Sequence, residues 1–291
     1  MRLSVAELAE RAGQLTALSS PCRLCPNQCG ADRHAGQFGR CGVGTSARVA
    51  GYGPHTGEEP LLVGRHGSGT VFFSGCNLTC CFCQNHRISQ QREGTDVYDE
   101  ELAAIFRRVA RRGCHNLNFV TPTPHAAAIV RALAGEHGLV LPVVWNCGGY
   151  ESVDILRLLD GIVDIYMPDL KYGNDDVARR LSGVTDYVAR SQAAIAEMHR
   201  QVGDLEIGDD GIARRGLLVR HLVLPGGLAA TTAVMRFLAE WISPRTAVNV
   251  MGQYRPWYRA DSVDELRRRI SSSEVDEAVR AARAVGLHRF V

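Results

Sequence analysis

Residues 70–85 read Thr-Val-Phe-Phe-Ser-Gly-Cys-Asn-Leu-Thr-Cys-Cys-Phe-Cys-Gln-Asn and join an apolar run to a cysteine-rich loop. The run at 70–73 predicts a buried strand, which the following Ser-Gly pair ends. Cys76, Cys80 and Cys83 stand in this loop at C-x3-C-x2-C spacing. Three thiolates on one short loop suit three corners of a [4Fe–4S] cube, so the fourth iron stays open to a ligand from outside the protein.

The same loop carries a fourth thiol and a nearby imidazole that permit other interpretations. Cys81 breaks the three-plus-two spacing and is expected to point away from the other three thiols as a bystander. Zinc is the alternative metal, because His86 completes a four-ligand set with the three thiols. Chance clustering of core cysteines is a third interpretation.

The composition is that of an ordinary globular protein. The 291 residues are 45% hydrophobic and 22% charged, and 33 basic residues stand against 31 acidic ones, a net charge of +2. This balance is typical of a soluble domain and excludes a dedicated nucleic-acid binder. The sequence shows neither a signal-peptide core nor an 18-residue apolar run, so we expect a cytoplasmic protein without a nucleic-acid or membrane partner.

The cysteines are unevenly distributed, since eight of the ten lie within residues 22–83. In a reducing compartment such clusters indicate metal binding rather than disulfides. Four of them have C-x2-C-x3-C-x11-C spacing: Cys22, Cys25, Cys29 and Cys41. This quartet is a complete ligand set for zinc or for a second [4Fe–4S] cluster, with an empty reduced site as the third alternative. His34 and His55 are possible substitutes.

The glycine-rich segment around the quartet, 19–69, has too little apolar sequence to form its own core, so we expect metal to order it. The centre has three possible roles: electron relay, substrate anchoring or folding energy. From residue 70 onward, strand and helix patterns alternate, which predicts a parallel sheet covered by helices. About six βα units fall short of the eight in a full barrel. We therefore expect an α/β fold, a partial (β/α)6 barrel at 70–291, preceded by a small Cys/Gly-rich metal-binding extension at 1–69. The last long helix is predicted over 263–285.

The cysteine loop resembles the signature of the radical S-adenosylmethionine (SAM) superfamily, C-x3-C-x-aromatic-C after the first barrel strand. Asn85 continues it as in glycyl-radical-activating enzymes. Other stretches resemble an uncharacterised, pyruvate formate-lyase-activating-like branch of that family over nearly the whole chain: Glu58-Glu-Pro60, Val120-Thr-Pro122, Asn146-Cys-Gly-Gly-Tyr150, Met167-Pro-Asp-Leu-Lys171, Arg220-His-Leu-Val-Leu-Pro-Gly226 and Met251-Gly-Gln-Tyr254. The loop motif is specific by itself, and the later motifs are specific as a set.

This resemblance implies a radical SAM oxidoreductase with a [4Fe–4S] cluster and SAM as cofactors. In that family an electron from the cluster cleaves SAM to methionine and a 5′-deoxyadenosyl radical, which abstracts hydrogen from a substrate, here unidentified. An electron donor such as flavodoxin or ferredoxin is the implied partner. Two alternatives stay open: an activating enzyme that generates a glycyl radical on a partner protein, and a cysteine-rich zinc-binding interaction module.

The resemblance also implies SAM contacts at the ends of successive strands, where ligand chemistry collects in a parallel barrel. Thr121 and Thr123 stand where most of the family has Gly-Gly-Glu, and a rigid proline turn is the alternative there. Asn146 and Gly149 lie in a stretch similar to the Asp-Thr-Asn-Gly of activating enzymes, near the SAM ribose. Arg220 is expected to pair with the SAM carboxylate, with a buried structural arginine as the alternative.

Asp169 and Lys171 repeat the Asp-x-Lys of activating enzymes, and we expect both to be catalytic and to contact SAM. Lys171 is the one lysine among the 33 basic residues. A lysine kept against this bias indicates a place where a compact ammonium serves and a wide guanidinium does not. A helix cap is the alternative for Asp169, and an exposed lysine kept by chance is the alternative for Lys171.

Overall fold

The computed structural model describes residues 3–136 and 139–291. Over these residues the strands are β1 (Ala47–His55), β2 (Ser68–Phe73), β3 (Thr95–Val97), β4 (Leu117–Val120), β5 (Val143–Cys147), β6 (Ile165–Pro168), β7 (Glu206–Ile207), β8 (Ala213–Leu222), β9 (Ala247–Met251) and β10 (Arg289–Phe290). The helices are α1 (Val5–Ala17), α2 (Pro60–Val63), α3 (His86–Ser89), α4 (Asp99–Arg111), α5 (Ala126–Ala134), α6 (Val153–Leu159), α7 (Asp175–Ser182), α8 (Tyr187–Val202), α9 (Thr231–Phe237) and α10 (Ser272–Ala284). Within the described ranges, none of these helices is long and apolar enough to cross a membrane.

The strands form one sheet in the order β10-β9-β8-β6-β5-β4-β2-β1-β3. Every neighbouring pair from β2 to β10 is parallel, while β1 runs antiparallel to β2 and β3 runs antiparallel to β1. The short β7 pairs antiparallel with β8. At least one helix follows each of six parallel strands before the next parallel strand begins: β2, β4, β5, β6, β8 and β9. These six βα units confirm the expected α/β fold with a parallel sheet.

The two faces of the sheet bury different side chains, because neighbours along a strand point to opposite sides. Trp145 and its equivalents on adjacent strands pack in the large core against the long helices. The opposite face, called the inner face below, buries a smaller cluster that includes Val144, Ile165 and Leu218. Leu62 of α2 packs into this cluster. A segment of the N-terminal extension therefore covers part of the inner face.

The N-terminal extension packs directly on the sheet and its helices. Ser4 caps α1, since its Oγ accepts from the backbone N–H of Glu7 at 3.3 Å and Glu7 bonds back to Ser4 N at 2.8 Å. Leu8 and Leu15 of α1 are buried in the large core, against α5 and α6. β1 pairs antiparallel with β2, the last strand of the parallel part of the sheet. The division of the chain at 69/70 stays a prediction.

Several details differ from the sequence-based expectations. The helix predicted over 263–285 is wrong in its first part, because α10 begins only after Ser271, whose Oγ accepts from Glu274 N at 3.3 Å. Asp264–Arg267 forms a 3-10 turn instead. Asn146 and Arg220 lie inside β5 and β8 rather than after them. The short elements β1, β3, β7, α2 and α3 were not expected.

Candidate functional site

The cysteine loop leaves the end of β2 and folds back over the N-terminal extension. Gly75 makes the turn at φ +85°, where a Cβ would press within 2.7 Å of Val43 and of the carbonyl oxygen of Cys41. Its N–H donates to Ile88 O at 2.9 Å and closes the loop. Asn77 Nδ2 donates to Tyr150 O at 2.5 Å, which ties the loop to the end of β5. The loop conformation is therefore fixed by the protein itself.

The three thiols of the C-x3-C-x2-C spacing each have a polar neighbour. Leu78 N–H points to Cys76 Sγ at 3.4 Å, the Ser182 hydroxyl donates to Cys80 Sγ at 2.9 Å, and the Ser89 hydroxyl lies 3.1 Å from Cys83 Sγ. Burial raises the pKa of Cys80 to about 11 and raises the pKa of Cys76 further. Such thiols ionise when a metal binds, and hydrogen bonds to the sulfurs tune an iron–sulfur centre. This donor set fits three corners of a [4Fe–4S] cluster.

Cys81 and His86, the other possible metal ligands near this loop, both have contacts away from the three thiols. Cys81 is half-buried near Arg180 and Arg259, and its backbone bonds Leu181 O and Arg259 N, both at 2.8 Å. The His86 ring stacks on Tyr258, with ring centroids 4.9 Å apart. Across residues 3–136 and 139–291, no three His, Cys, Asp or Glu side chains converge closely enough to hold a single metal ion. The assignment of Cys76, Cys80 and Cys83 as ligands stays a prediction.

A network of charged side chains lies at the carboxyl ends of β5, β6 and β8. The Asp169 carboxylate accepts from Lys171 Nζ at 2.5 Å and from Arg220 Nε at 2.8 Å. Arg220 also donates to Asn146 Oδ1 at 2.7 Å and reaches Glu58 Oε2 at 3.4 Å. The structure thus brings together four of the residues expected to contact SAM and adds Glu58, which was not assigned.

The charges in this network hold each other in the ionised state. Burial alone would raise the pKa of Asp169, but Arg220 and Lys171 hold it below its ordinary value. Burial alone would lower the pKa of Lys171, but Asp169, and Cys80 when it is a thiolate, raise it above its ordinary value. Lys171 is therefore close enough to the cysteine loop to interact with an ionised Cys80.

The sequence left a helix cap open as the alternative role of Asp169 and a structural arginine as the alternative role of Arg220. Asp169 caps no helix, since the N-cap of α7 is Asn174, whose side chain accepts from Asp176 N at 2.8 Å. The Arg220 donors, by contrast, are taken by side chains of the chain itself, as in a structural arginine. A contact between Arg220 and SAM stays a prediction.

Gly149 and Tyr187 shape the turn beside the network. Gly149 has φ +76°, and a Cβ there would collide with the carbonyl oxygen of Asp169. Tyr187 Oη lies 2.9 Å from Asp169 O and 3.1 Å from Gly148 O, and it accepts from Lys171 N at 2.9 Å. Sequence reasoning missed Tyr187, because a buried tyrosine in a helix carries no signal of a role at a strand end.

Thr121 and Thr123 lie at the end of β4 in unlike environments. Thr121 has φ +59°, which is strained for a β-branched residue, and its N–H donates to Asn146 O at 2.9 Å. Thr123 is fully buried and donates from Oγ1 to Glu151 Oε1 at 2.5 Å. Burial raises the pKa of Glu151 to about 7. Contacts from either threonine to SAM stay predictions, and Glu151 is a further residue that the sequence motifs did not single out.

The N-terminal quartet is gathered around a short, tightly wrapped segment. Cys22 N–H donates to Ala31 O at 3.0 Å, and Gly30 N–H returns to Cys22 O at 3.1 Å. A Cβ at Gly39 would collide with Cys29 Sγ. Cys41 interacts electrostatically with Cys22, Cys25 and Cys29, and burial raises the pKa of Cys25 to about 12. The four thiols share one neighbourhood, and the metal that they bind stays a prediction.

Arg33 joins the quartet to the end of β4. Its guanidinium lies 3.6 Å from Cys41 Sγ and donates to Pro124 O at 2.8 Å. A buried cation beside several thiols is suited to thiolate ligands. The two histidines considered as substitutes have other contacts, since His55 packs edge-on against Phe72 and His34 is exposed.

The fold and the site together define a class of protein. Its parallel α/β sheet has a first parallel strand that leads into a loop with three spaced cysteines, and a Lys–Asp–Arg network lies at the carboxyl ends of the later strands. The family model of the radical SAM superfamily matches residues 70–207. An uncharacterized protein of the archaeon Methanocaldococcus jannaschii is 33% identical over 276 residues, which cover 91% of this chain and 75% of the relative. The chain therefore belongs to the radical SAM superfamily.

Two solved structures are distantly similar. One, described as native anSMEcpe with bound AdoMet, has 11% identity and a TM-score of 0.45, and the match covers 75% of this chain and 61% of the other. The second, TYW1 with a lysine-pyruvate adduct bound, has 12% identity and a TM-score of 0.40 over 72% of this chain and 73% of the other. The chain spans under two thirds of the first of these proteins, and no residue role is carried over from either.

Proposed function

We propose that the protein is an iron–sulfur enzyme that reductively cleaves SAM and abstracts hydrogen from a substrate. The observation that carries this proposal is the loop with Cys76, Cys80 and Cys83, in which each thiol lies beside a polar group. A [4Fe–4S] cluster held there would supply the electron that splits SAM into methionine and a 5′-deoxyadenosyl radical. Membership of the superfamily and this donor set support the same chemistry.

The chain's own residues have the task of binding and orienting SAM. Asp169 holds the Lys171 ammonium in place, so the lysine presents a fixed positive charge to a carboxylate. Gly149 lets the backbone approach the ligand closely. Arg220 fixes the amide of Asn146 through Oδ1, which orients Nδ2 as a donor for a ribose hydroxyl. Pre-organised polar groups of this kind stabilise charge without reorganising during the reaction.

The finer assignments belong to the same proposal. The protein is proposed as a cytoplasmic oxidoreductase of the pyruvate formate-lyase-activating-like branch, reduced by a donor such as flavodoxin or ferredoxin. The quartet of Cys22, Cys25, Cys29 and Cys41 holds a second centre, zinc or [4Fe–4S]. The burial of Cys22 and Cys41, with the Arg33 guanidinium 3.6 Å from Cys41 Sγ, supports metal binding there. The second candidate function is an activating enzyme that generates a glycyl radical on a partner protein.

The direct test is reductive cleavage of SAM by the reconstituted protein. Iron-loaded protein is incubated anaerobically with SAM and dithionite, and 5′-deoxyadenosine and methionine are quantified by chromatography. The proposal expects equal amounts of both products, in reactions that contain iron and reductant. Iron-loaded protein that forms neither product would refute it, and would favour the zinc-binding interaction module.

A further inference from the structure

The chain between β1 and β2 enters the inner face of the sheet. Its helix α2 places Leu62 in the inner cluster with Val144 and Ile165. Asn116 of the segment before β4 donates from Nδ2 to Leu62 O at 2.9 Å, which fixes α2 against this face. The two glutamates that precede α2 are thereby carried to the carboxyl ends of β8 and β9, next to the charged network.

Glu59 is the more deeply placed of these glutamates. Its residue is 5% exposed, and Oε1 accepts from Asn249 Nδ2 at 3.0 Å. Its second carboxylate oxygen, Oε2, is buried and has no hydrogen-bond partner. A buried oxygen without a donor is costly, because the folded chain does not replace the water it loses. Such an atom indicates a donor that the chain itself does not provide.

The charges around Glu59 do not balance. Glu58 pairs through Oε2 with Arg220 Nη1 at 3.4 Å, and Arg220 is already bound by Asp169 at 2.8 Å. Lys171 is the second cation of the network. In and beside the network there are thus three carboxylates, Glu58, Glu59 and Asp169, and two permanent cations, Lys171 and Arg220, while the His55 imidazole also faces Glu58. Burial raises the pKa of Glu58, although Arg220 and His55 act to lower it.

A second unpartnered atom on the inner face is also an acceptor. Asn118 is fully buried, and its Nδ2 donates to Ser68 Oγ at 3.1 Å, while Oδ1 has no partner. In the described part of the chain, the unpartnered buried atoms on the inner face are therefore acceptors. A ligand that completes the hydrogen bonding of these acceptors must carry N–H donors. Because carboxylates outnumber permanent cations here, a positively charged ligand is favoured.

We infer that Glu59, with Glu58 beside it, forms a substrate-recognition subsite that takes a cationic N–H donor, an ammonium or guanidinium group of the substrate. This inference rests on the proposed function, since it names the substrate class of that site. The residues expected to contact SAM come from β4, β5, β6 and β8, and Glu58 pairs with one of them, Arg220. Glu59 is held instead by Asn249 of β9, so its carboxylate adjoins the predicted SAM contacts without a hydrogen bond to any of them, and the N-terminal extension supplies the subsite.

The test compares the iron-loaded full-length wild type with Glu59→Gln, Glu59→Asp and the exposed control Glu240→Gln. Thermal unfolding is recorded with methylammonium or methylguanidinium chloride as probe, against sodium chloride at equal ionic strength. A probe tenfold above its Kd should raise the unfolding temperature of the wild type and of the control by about 2 °C. Glu59→Gln should lose this rise and should be more stable than the wild type without probe.

Three results overturn the inference: no rise in the wild type, an equal rise in Glu59→Gln, or a loss of SAM affinity in Glu59→Gln that matches the loss of the probe effect. The last result would assign Glu59 to SAM. If Glu59→Gln fails to fold, Glu59→Asp gives the same reading, because it moves the carboxylate out of reach. Wild type that shows the probe effect but does not cleave SAM refutes the proposed function and leaves the cation subsite supported.

Discussion

Lys171 Nζ donates to Asp169 Oδ2 at 2.5 Å, and both side chains are about 16–17% exposed. The pair lies where β6 ends, so it is rigidly placed yet reachable from the opening of the site. The ammonium of Lys171 has three N–H donors, and Asp169 takes one of them, which leaves donors for a ligand. Lys171 is thus the cation of the network best placed to meet a carboxylate.

We expect Lys171→Arg to keep the fold and the metal but to reduce SAM cleavage about 10- to 100-fold, the value of one lost charge-assisted hydrogen bond. A planar guanidinium is wider than the compact ammonium, and Arg220 already occupies the other carboxylate oxygen of Asp169 at 2.8 Å. The measurement is 5′-deoxyadenosine formation and SAM affinity at matched iron content, with Lys171→Ala alongside. The exposed variant Arg179→Lys is the control, and turnover of Lys171→Arg close to that control would show that the lysine has no special role.

The three-cysteine assignment predicts unequal effects within one loop. Alanine at Cys76, Cys80 or Cys83 should remove about one cluster per chain and abolish SAM cleavage, since each thiolate holds one corner of the cube. Cys81→Ala should keep both properties, because its backbone contacts do not depend on the thiol. Iron analysis and product assay after anaerobic reconstitution decide this. Equal losses in Cys81→Ala and Cys83→Ala would contradict the assignment.

The quartet predicts a second metal centre that orders residues 19–60. Fully reconstituted protein should contain about eight irons, or about four irons and one zinc, per chain. Alanine at Cys25 or Cys29 should remove the second metal and make the segment sensitive to protease, whereas Cys114→Ala serves as a control outside both sites. Four irons without zinc in the wild type would speak against a second centre.

Glu151 predicts a pH dependence of stability. Its pKa is raised by burial from an ordinary value of 4.5 to about 7, so the folded state holds a proton that the unfolded state releases. The free energy of unfolding should therefore fall as pH rises from about 4.5 to about 7, by about 3 kcal/mol from this residue. Glu151→Gln should lack this fall, because an amide does not titrate, and its oxygen can still accept from Thr123. Denaturant titrations at several pH values, with Glu240→Gln as control, measure the difference, and identical slopes for wild type and Glu151→Gln would contradict it.

Much of the architecture was predictable, because the apolar strands and the helices between them are regular. The strand expected at 70–73, for example, forms most of β2 (Ser68–Phe73). The short β1 and α2 were not predictable, since their residues acquire structure from partners distant in sequence. Leu62 is buried by strands that lie 80 or more residues away along the chain.

The candidate site was predictable where its chemistry is carried by unusual residues. Spaced cysteines and a single lysine among arginines stand out in the sequence itself. Glu151 and Tyr187 do not, because glutamates and tyrosines are common on surfaces and in cores. Glu59 belongs to the quoted stretch Glu58-Glu-Pro60, but the stretch by itself indicates no role for it. Their positions depend on long-range packing, such as the contact of Glu59 with Asn249, 190 residues away.

The central claim is that the loop at 76–83 holds a cluster with one iron open to SAM. Electron paramagnetic resonance of the dithionite-reduced, iron-loaded protein, titrated with SAM, tests it most directly. We expect SAM to change the signal of one cluster in the wild type, and this response to be absent in Cys83→Ala. A wild-type spectrum that stays unchanged at saturating SAM would contradict the account.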